Sequence, residues 1–268
     1  MIRNALKVWA FLKRDLLSEM SYRLAFVLQI VGLMFSLLAF FYMTKMMDPA
    51  TEGLNGIPPF EYLLMGIAFQ FYFSTALYSF SAKIRNEQVL GTLEAMLVSP
   101  TPTSIVIFSS AAWDFTYGGI RVLTYLLLAT LIFGVDLQTA GLPVFVVGVA
   151  LTLLSSAGLG ILSASFILYF KRGDPVNFLL SGATTFLGTV FFPVEMLPEW
   201  VRPASEYLPI TWSLRIVRGS LLQGKGFTEL GRELLVLALL TLILLPTGLW
   251  ASRFAIRKAK RDGTLIKY

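Results

Sequence analysis

Glu87, Gly91 and Glu94 stand at i, i+4 and i+7, a spacing that a helix turns into one face carrying two carboxylates beside a residue without a side chain. Two carboxylates are the raw material of acid–base work, but that work needs a partner titrating near neutrality, and the chain has no histidine. It has no cysteine either, so thiolate nucleophiles, disulfides and thiolate metal ligands are excluded. A second charged pair, Asp114 and Arg121, lies seven residues apart inside an apolar stretch. Nothing here assembles a nucleophile, a base and an orienting group, so no catalytic, cofactor-binding or metal-ligating residue is assigned. The two charged groups point instead to docking and to intramembrane polarity.

The elements that must position them are helices in a bilayer. Of 268 residues 56% are hydrophobic and only 14% charged, and the mean hydropathy is +0.72. A soluble chain carries nearer a quarter charged residues. Six apolar stretches, 24–44, 62–82, 105–133, 142–170, 176–192 and 234–254, predict six transmembrane helices, the fifth of them marginal against the ~20 residues a crossing needs. The expected fold is an all-α integral membrane protein, a single transmembrane domain over 1–268. On the fourth stretch Gly148, Ser155, Ala157, Gly158, Gly160, Ser163 and Ala164 permit close helix packing, expected within the chain more than between chains.

Charge gives the expected orientation. Alternating the loops between two sides collects fifteen of the 22 Lys and Arg residues on one side and six on the other, where nine carboxylates dilute them. Positive residues remain on the cytoplasmic side, so both termini are expected there, in a bacterial or archaeal inner membrane. The tail 255–268 reads as a basic anchor at anionic headgroups rather than a nucleic-acid arm, because no aromatic interleaves its charges before Tyr268. Within 1–22, Leu6, Trp9, Leu12, Leu16 and Met20 recur at helical spacing against a face with Arg3, Lys7 and Arg14. Its regular basic face favours an interfacial amphipathic helix over an extension of the first span.

Between the second and third spans, Val89, Leu93, Met96 and Leu97 line one face of a short helix expected over 86–98. Pro100 and Pro102 stop it, and Lys83 and Arg85 hold it on the positive side. Gly91 costs such a helix about 1 kcal/mol relative to Ala, which makes sense where another body packs close. Before the last span, Pro193, Pro198, Pro203 and Pro209 cut the chain into pieces, and Trp200, Tyr207 and Trp212 supply an aromatic belt. The expectation over 193–230 is a hairpin of short helices dipping into the outer leaflet, its backbone breaks satisfied by protein or water.

The string Glu87, Gly91, Thr92, Leu93, Glu94, Met96, Leu97, Ser99 and Pro100 resembles the cytosolic loop of ABC-2 type permeases, the membrane subunits of type-two ATP-binding-cassette exporters. Phe191, Phe192 and Pro193, then Leu197, Pro198, Glu199 and Trp200, then Leu208 to Trp212 and Arg215, are similar to that family's external segment. The resemblance covers essentially the whole chain. It implies a pore subunit working as a dimer with itself or a paralogous permease. It also implies coupling to a separate ATPase through Glu87, Gly91, Thr92, Glu94, Leu97 and Pro100. The external hairpin would then be marked by Pro193, Pro198, Trp200, Pro209, Trp212 and Arg215. ATP and magnesium would sit on the partner: the sequence has no G-x-x-x-x-G-K-[ST] cradle, and Gly224-Lys225-Gly226 lacks both its spacing and its hydroxyl. The start lacks the tryptophan-rich entry of the polysaccharide-exporting branch, and the expected cargo is an amphiphile such as a drug, lipid or glycolipid.

Two readings of Asp114 and Arg121 stand side by side. Either they form a polar patch on the substrate route, or Asp114 lies near the cytosolic interface while Arg121 snorkels outward. An ATP-independent transporter is the alternative function, although no internal repeat of the kind such carriers show is found. Lipid is an expected partner and nucleic acid is not.

Overall fold

The computed structural model describes residues 23–46, 54, 56–89, 103–170 and 175–261. The chain is an all-α integral membrane protein: the regular elements among the described residues are all helical. In order they are α1 (Arg23–Lys45), α2 (Pro59–Val89), α3 (Thr103–Phe133), α4 (Leu142–Phe170), α5 (Pro175–Leu187), α6 (Arg202–Glu206), α7 (Pro209–Gln223) and α8 (Gly231–Arg261). Short 3-10 turns occupy Thr139–Gly141 and Val194–Met196. Of these helices, α1, α2, α3, α4 and α8 are long and apolar enough to cross a membrane. The end of the bundle where α2 stops and α3 begins is termed the loop end, and the opposite end the hairpin end.

Burial follows composition. α2 is the central helix, with Met65, Ala68, Phe69, Phe73 and Leu77 almost wholly enclosed. α4 and α8 pack along each other most extensively, because Gly158 and Gly248 let the two backbones touch; a Cβ on Gly248 would lie 2.5 Å from the Gly158 carbonyl oxygen. Gly160 performs the same service against α2, and Gly148 against Ile216 of α7, so the small residues of the fourth stretch serve packing within the chain. α1 is peripheral and sends Leu33 and Leu37 into the core. Leu123, Leu127 and Leu131 on α3 and Leu235, Leu242 and Ile243 on α8 face outward. Apolar side chains in that position suit lipid.

The stretch expected as a fifth span behaves differently from the rest. α5 has 13 residues, about 20 Å of helix at 1.5 Å per residue, against a hydrocarbon core of about 30 Å. It stops at Leu187, five residues before the expected end, and the chain bends at 188–192 with Thr189 at φ 57°. The segment after it returns into the bundle. α7 runs antiparallel to α4, with Ser213 Oγ 2.5 Å from Thr152 Oγ1 and Gly141 against Ser220. Nearly every residue of α7 is buried. Trp212, expected in an interfacial belt, is only 3% exposed and packs with Ile216, Leu230 and Leu237, whereas Trp200 and Tyr207 are 85% and 78% exposed. The physical reason is the indole N–H: it reaches the Glu206 carbonyl at 2.7 Å, and with its one donor satisfied the ring can be enclosed. The expected interfacial helix over 1–22, residues 90–102 and the tail from 262 lie outside the described residues.

Candidate functional site

At the loop end, Asp114 ties α3 to α2. Its Oδ2 accepts from the Ser79 hydroxyl at 2.6 Å and its Oδ1 lies 3.7 Å from Lys83 Nζ. Ser81 and Tyr78 in turn hold the start of α5: Asn177 Nδ2 donates to Ser81 Oγ at 2.7 Å, and the Tyr78 hydroxyl to the Asn177 carbonyl at 3.2 Å. α2 continues through residues 83–89, so the segment that joins α2 to α3 leaves from helix already cross-linked to both neighbours. Glu87 falls in the last turn of α2. Gly91, Thr92, Glu94, Leu97 and Pro100 lie outside the described residues.

Nearer mid-bundle, α2 presents a polar seam. Gln70, Phe71, Ser74, Thr75 and Tyr78 share one face, half-buried or exposed on a helix whose other faces are enclosed. α5 flanks the seam on one side: Gln70 Nε2 is 3.1 Å from Thr185 Oγ1 and 3.4 Å from Thr184 Oγ1, while its Oε1 is buried without a donor. α3 flanks it on the other. The Arg121 guanidinium sits 4.7 Å from the centre of the Phe71 ring, one helical turn from Tyr125, while its Nε is buried and unbonded. Tyr117 and Gln29 form a hydrogen bond that closes α1 onto α3. Asp114 and Arg121 therefore join different partners. The ion pair that Asp114 makes is with Lys83, and Arg121 lies over the Phe71 ring.

At the hairpin end, Arg218 on α7 supplies the donors that the broken backbone needs. It donates from Nη1 to the Thr189 carbonyl at 2.9 Å, and from Nη2 to the carbonyls of Val190 at 3.0 Å and Tyr62 at 3.1 Å. Its Nε reaches Tyr62 O as well, at 3.3 Å. The Thr189 and Val190 carbonyls are groups freed where α5 ends, and Tyr62 belongs to the first turn of α2. Gly66 makes room: a Cβ there would overlap the Val190 carbonyl and lie 2.8 Å from Arg218 Nη2. Ser205 on α6 donates to Leu187 O at 2.6 Å, fastening the descending arm to the end of α5.

The prolines do what such residues do at turns. Pro193 precedes the Val194–Met196 turn, the Pro198 carbonyl accepts from Val201 and Arg202, and Pro209 begins α7. Arg215 lies over the Trp212 ring at 4.6 Å, so this expected pair is indeed together. Arg218, Thr189 and Gly66 are the residues that sequence reasoning passes over. Their only signal is the pairing of a marginal span with a basic residue some thirty positions later, which has meaning once the orphaned carbonyls are seen.

No curated protein matches the chain. A family model described as ABC-2 type transporter matches residues 7–222, well over half of the 268 residues. The matched region takes in α1 to α6 and nearly all of α7, hence the loop clamp, the seam and the Arg218 lock together. With a bundle of apolar helices, a polar seam and a re-entrant segment behind it, the chain belongs to the ABC-2 type transporter family.

Proposed function

We propose that this membrane component of an ABC-2 transporter builds the export path as a dimer and is driven by ATP and magnesium on a separate ATPase subunit. The observation that carries the reading is the seam on α2. Surfaces elsewhere on the bundle are dominated by apolar side chains such as Leu123, Leu127, Leu242 and Ile243, whereas Gln70, Ser74, Thr75 and Tyr78 form a polar stripe that would be costly against hydrocarbon. A second protomer or a water-filled route removes that cost. Tyr78 and Phe71 make the stripe amphipathic, which suits an amphiphilic cargo carried with its polar part along the seam. The clamp of Lys83, Ser79 and Asp114 supports coupling, because a push delivered to the loop between α2 and α3 would move both helices together. Family membership supports the separate ATPase. The basic loop end would face the cytoplasm, together with both termini.

The natural absence of cysteine makes the test simple. Ser74→Cys in the full chain, treated in membranes with a bifunctional maleimide, is expected to give a cross-linked dimer. An ABC ATPase is expected to co-purify with the chain in mild detergent. A monomer only, with transport by the purified chain in vesicles lacking ATPase, would overturn the reading in favour of an ATP-independent carrier.

A further inference from the structure

A cavity of about 190 Å³ opens beside the Arg218 lock, at the hairpin end and away from the seam. Its wall includes Thr189, Glu195, Arg215, Arg218, Lys225 and Glu233. Arg218 is already occupied by three backbone carbonyls, which leaves two cations and two carboxylates around one hole. None of these four makes an ion pair with another described residue. That is not how a structural charge network looks. Half-buried opposite charges such as Arg215, Lys225 and Glu233 normally lie within ion-pair distance, because each otherwise loses hydration without return; Glu195 stands exposed at the rim. Arg215 is instead positioned by stacking on Trp212.

Two further observations concern residues of the same wall. Thr189 is 3% exposed and its hydroxyl has no hydrogen-bond partner; Glu233 Oε2 is likewise buried and unpartnered. Glu233 lies in the first turn of α8, where the helix terminus favours its charge, but that does not give the oxygen a donor. Unsatisfied buried polar atoms in native proteins call for a specific explanation, and these two belong to residues of one cavity wall, although both atoms are themselves covered. Thr189 is also a β-branched residue at φ 57°, a conformation that costs of order 1–3 kcal/mol and persists only where the surroundings impose it. Here Arg218 and the Tyr62 hydroxyl both hold its carbonyl.

We propose that this cavity binds a small zwitterionic group, its ammonium beside Glu195 and Glu233 and its anion beside Arg215 and Lys225. An anion alone would meet two carboxylates and a cation alone would meet two cations; a zwitterion meets neither conflict. The volume lies below the roughly 300–1,000 Å³ that holds drug-sized ligands, so the site takes a headgroup-sized fragment and not a whole amphiphile. All its walls come from one chain, so the inference is independent of the proposed dimer and ATPase.

O-phosphoethanolamine is the probe, titrated calorimetrically into the purified full chain. Saturable binding is expected, with inorganic phosphate and ethanolamine each at least tenfold weaker. Glu233→Gln and Arg215→Gln are each expected to weaken it tenfold or more while size-exclusion profiles remain unchanged. Glu199→Gln, on the exposed part of the same hairpin, should bind as the parent does. In nanodiscs, loss of the signal in phosphatidylethanolamine but not in phosphatidylglycerol assigns the site to a lipid headgroup, and equal signals assign it to a soluble zwitterion. Absence of saturable binding to the folded parent, or phosphate binding as tight as phosphoethanolamine and indifferent to Glu233→Gln, would overturn the proposal.

Discussion

The guanidinium carbon of Arg218 lies 3.4 Å from the centre of the Tyr62 ring, and two of its nitrogens reach the Tyr62 carbonyl. One residue of α7 is thereby fixed to both the side chain and the backbone of α2, and through Thr189 and Val190 to the end of α5. A broken helix in a membrane protein is stable only where such donors are supplied.

Arg218→Met is therefore expected to leave the Val190 carbonyl without its donor and the Thr189 carbonyl with the Tyr62 hydroxyl alone. A buried group stripped of its partner costs about 1–3 kcal/mol, so the variant should lose about that much. Lysine, with fewer donors and no planar fork, should recover only part. Unfolding midpoints in detergent measure this, and an unchanged midpoint for Arg218→Met would contradict the account.

Gly66→Ala is a sharper probe of the same contact. In an open helix the change gains about 1 kcal/mol of propensity, but here the new methyl meets the Val190 carbonyl and Arg218. Overpacking costs about 1–3 kcal/mol, so the net effect should be destabilising. Gly119→Ala, with open space around it, should be neutral or stabilising in the same assay. Equal behaviour of the two variants would show that the close approach at Gly66 is relaxed in solution.

The long helices are legible in the sequence because a run of about 20 apolar residues has one outcome in a bilayer. The first four stretches and the last match α1 to α4 and α8 to within a few residues at most ends, α2 and α8 running on by seven at the loop end. Partnership is not legible. Arg218 looks like Arg215 or Arg232 until the carbonyls of Thr189 and Val190 are seen to depend on it, and no periodicity encodes that. Trp212 reads as an interfacial aromatic because its enclosure depends on a carbonyl six residues earlier. Asp114 and Arg121, adjacent on a helical wheel, are separated by what α2 offers each of them: Lys83 and Ser79 to one, Phe71 to the other.

The clamp at Asp114 should separate into two contributions. Asp114→Asn keeps an acceptor for Ser79 and loses the ion pair, which at about a quarter exposure is worth up to ~1 kcal/mol. Asp114→Leu also leaves the enclosed Ser79 hydroxyl unpaired, at a further cost of about 1 kcal/mol or more. Thermal midpoints should fall in that order, and identical midpoints would mean that Ser79 finds another acceptor without loss.

Orientation follows from the basic asymmetry. Single cysteines at Ser99→Cys and Trp200→Cys should react with an impermeant maleimide from opposite sides of the membrane, Ser99 from the cytoplasmic side and Trp200 from outside. Labelling of both from one side would remove the proposed topology.

The central claim, that the loop between α2 and α3 receives the work of a separate ATPase, is tested most directly by the ATPase activity of the reconstituted complex carrying Glu94→Arg or Gly91→Trp. Both substitutions lie outside the expected hydrocarbon region, so insertion and assembly by size-exclusion should be unchanged. A reversed charge or an indole on a docking face opposes the partner, and cargo-stimulated turnover is predicted to fall to the basal rate. Lys260→Ala in the basic tail should be nearly silent, one such charge being worth about 1 kcal/mol at the membrane surface. Normal stimulation in both loop variants, with the complex intact, would show that the loop is a passive connection and contradict the account.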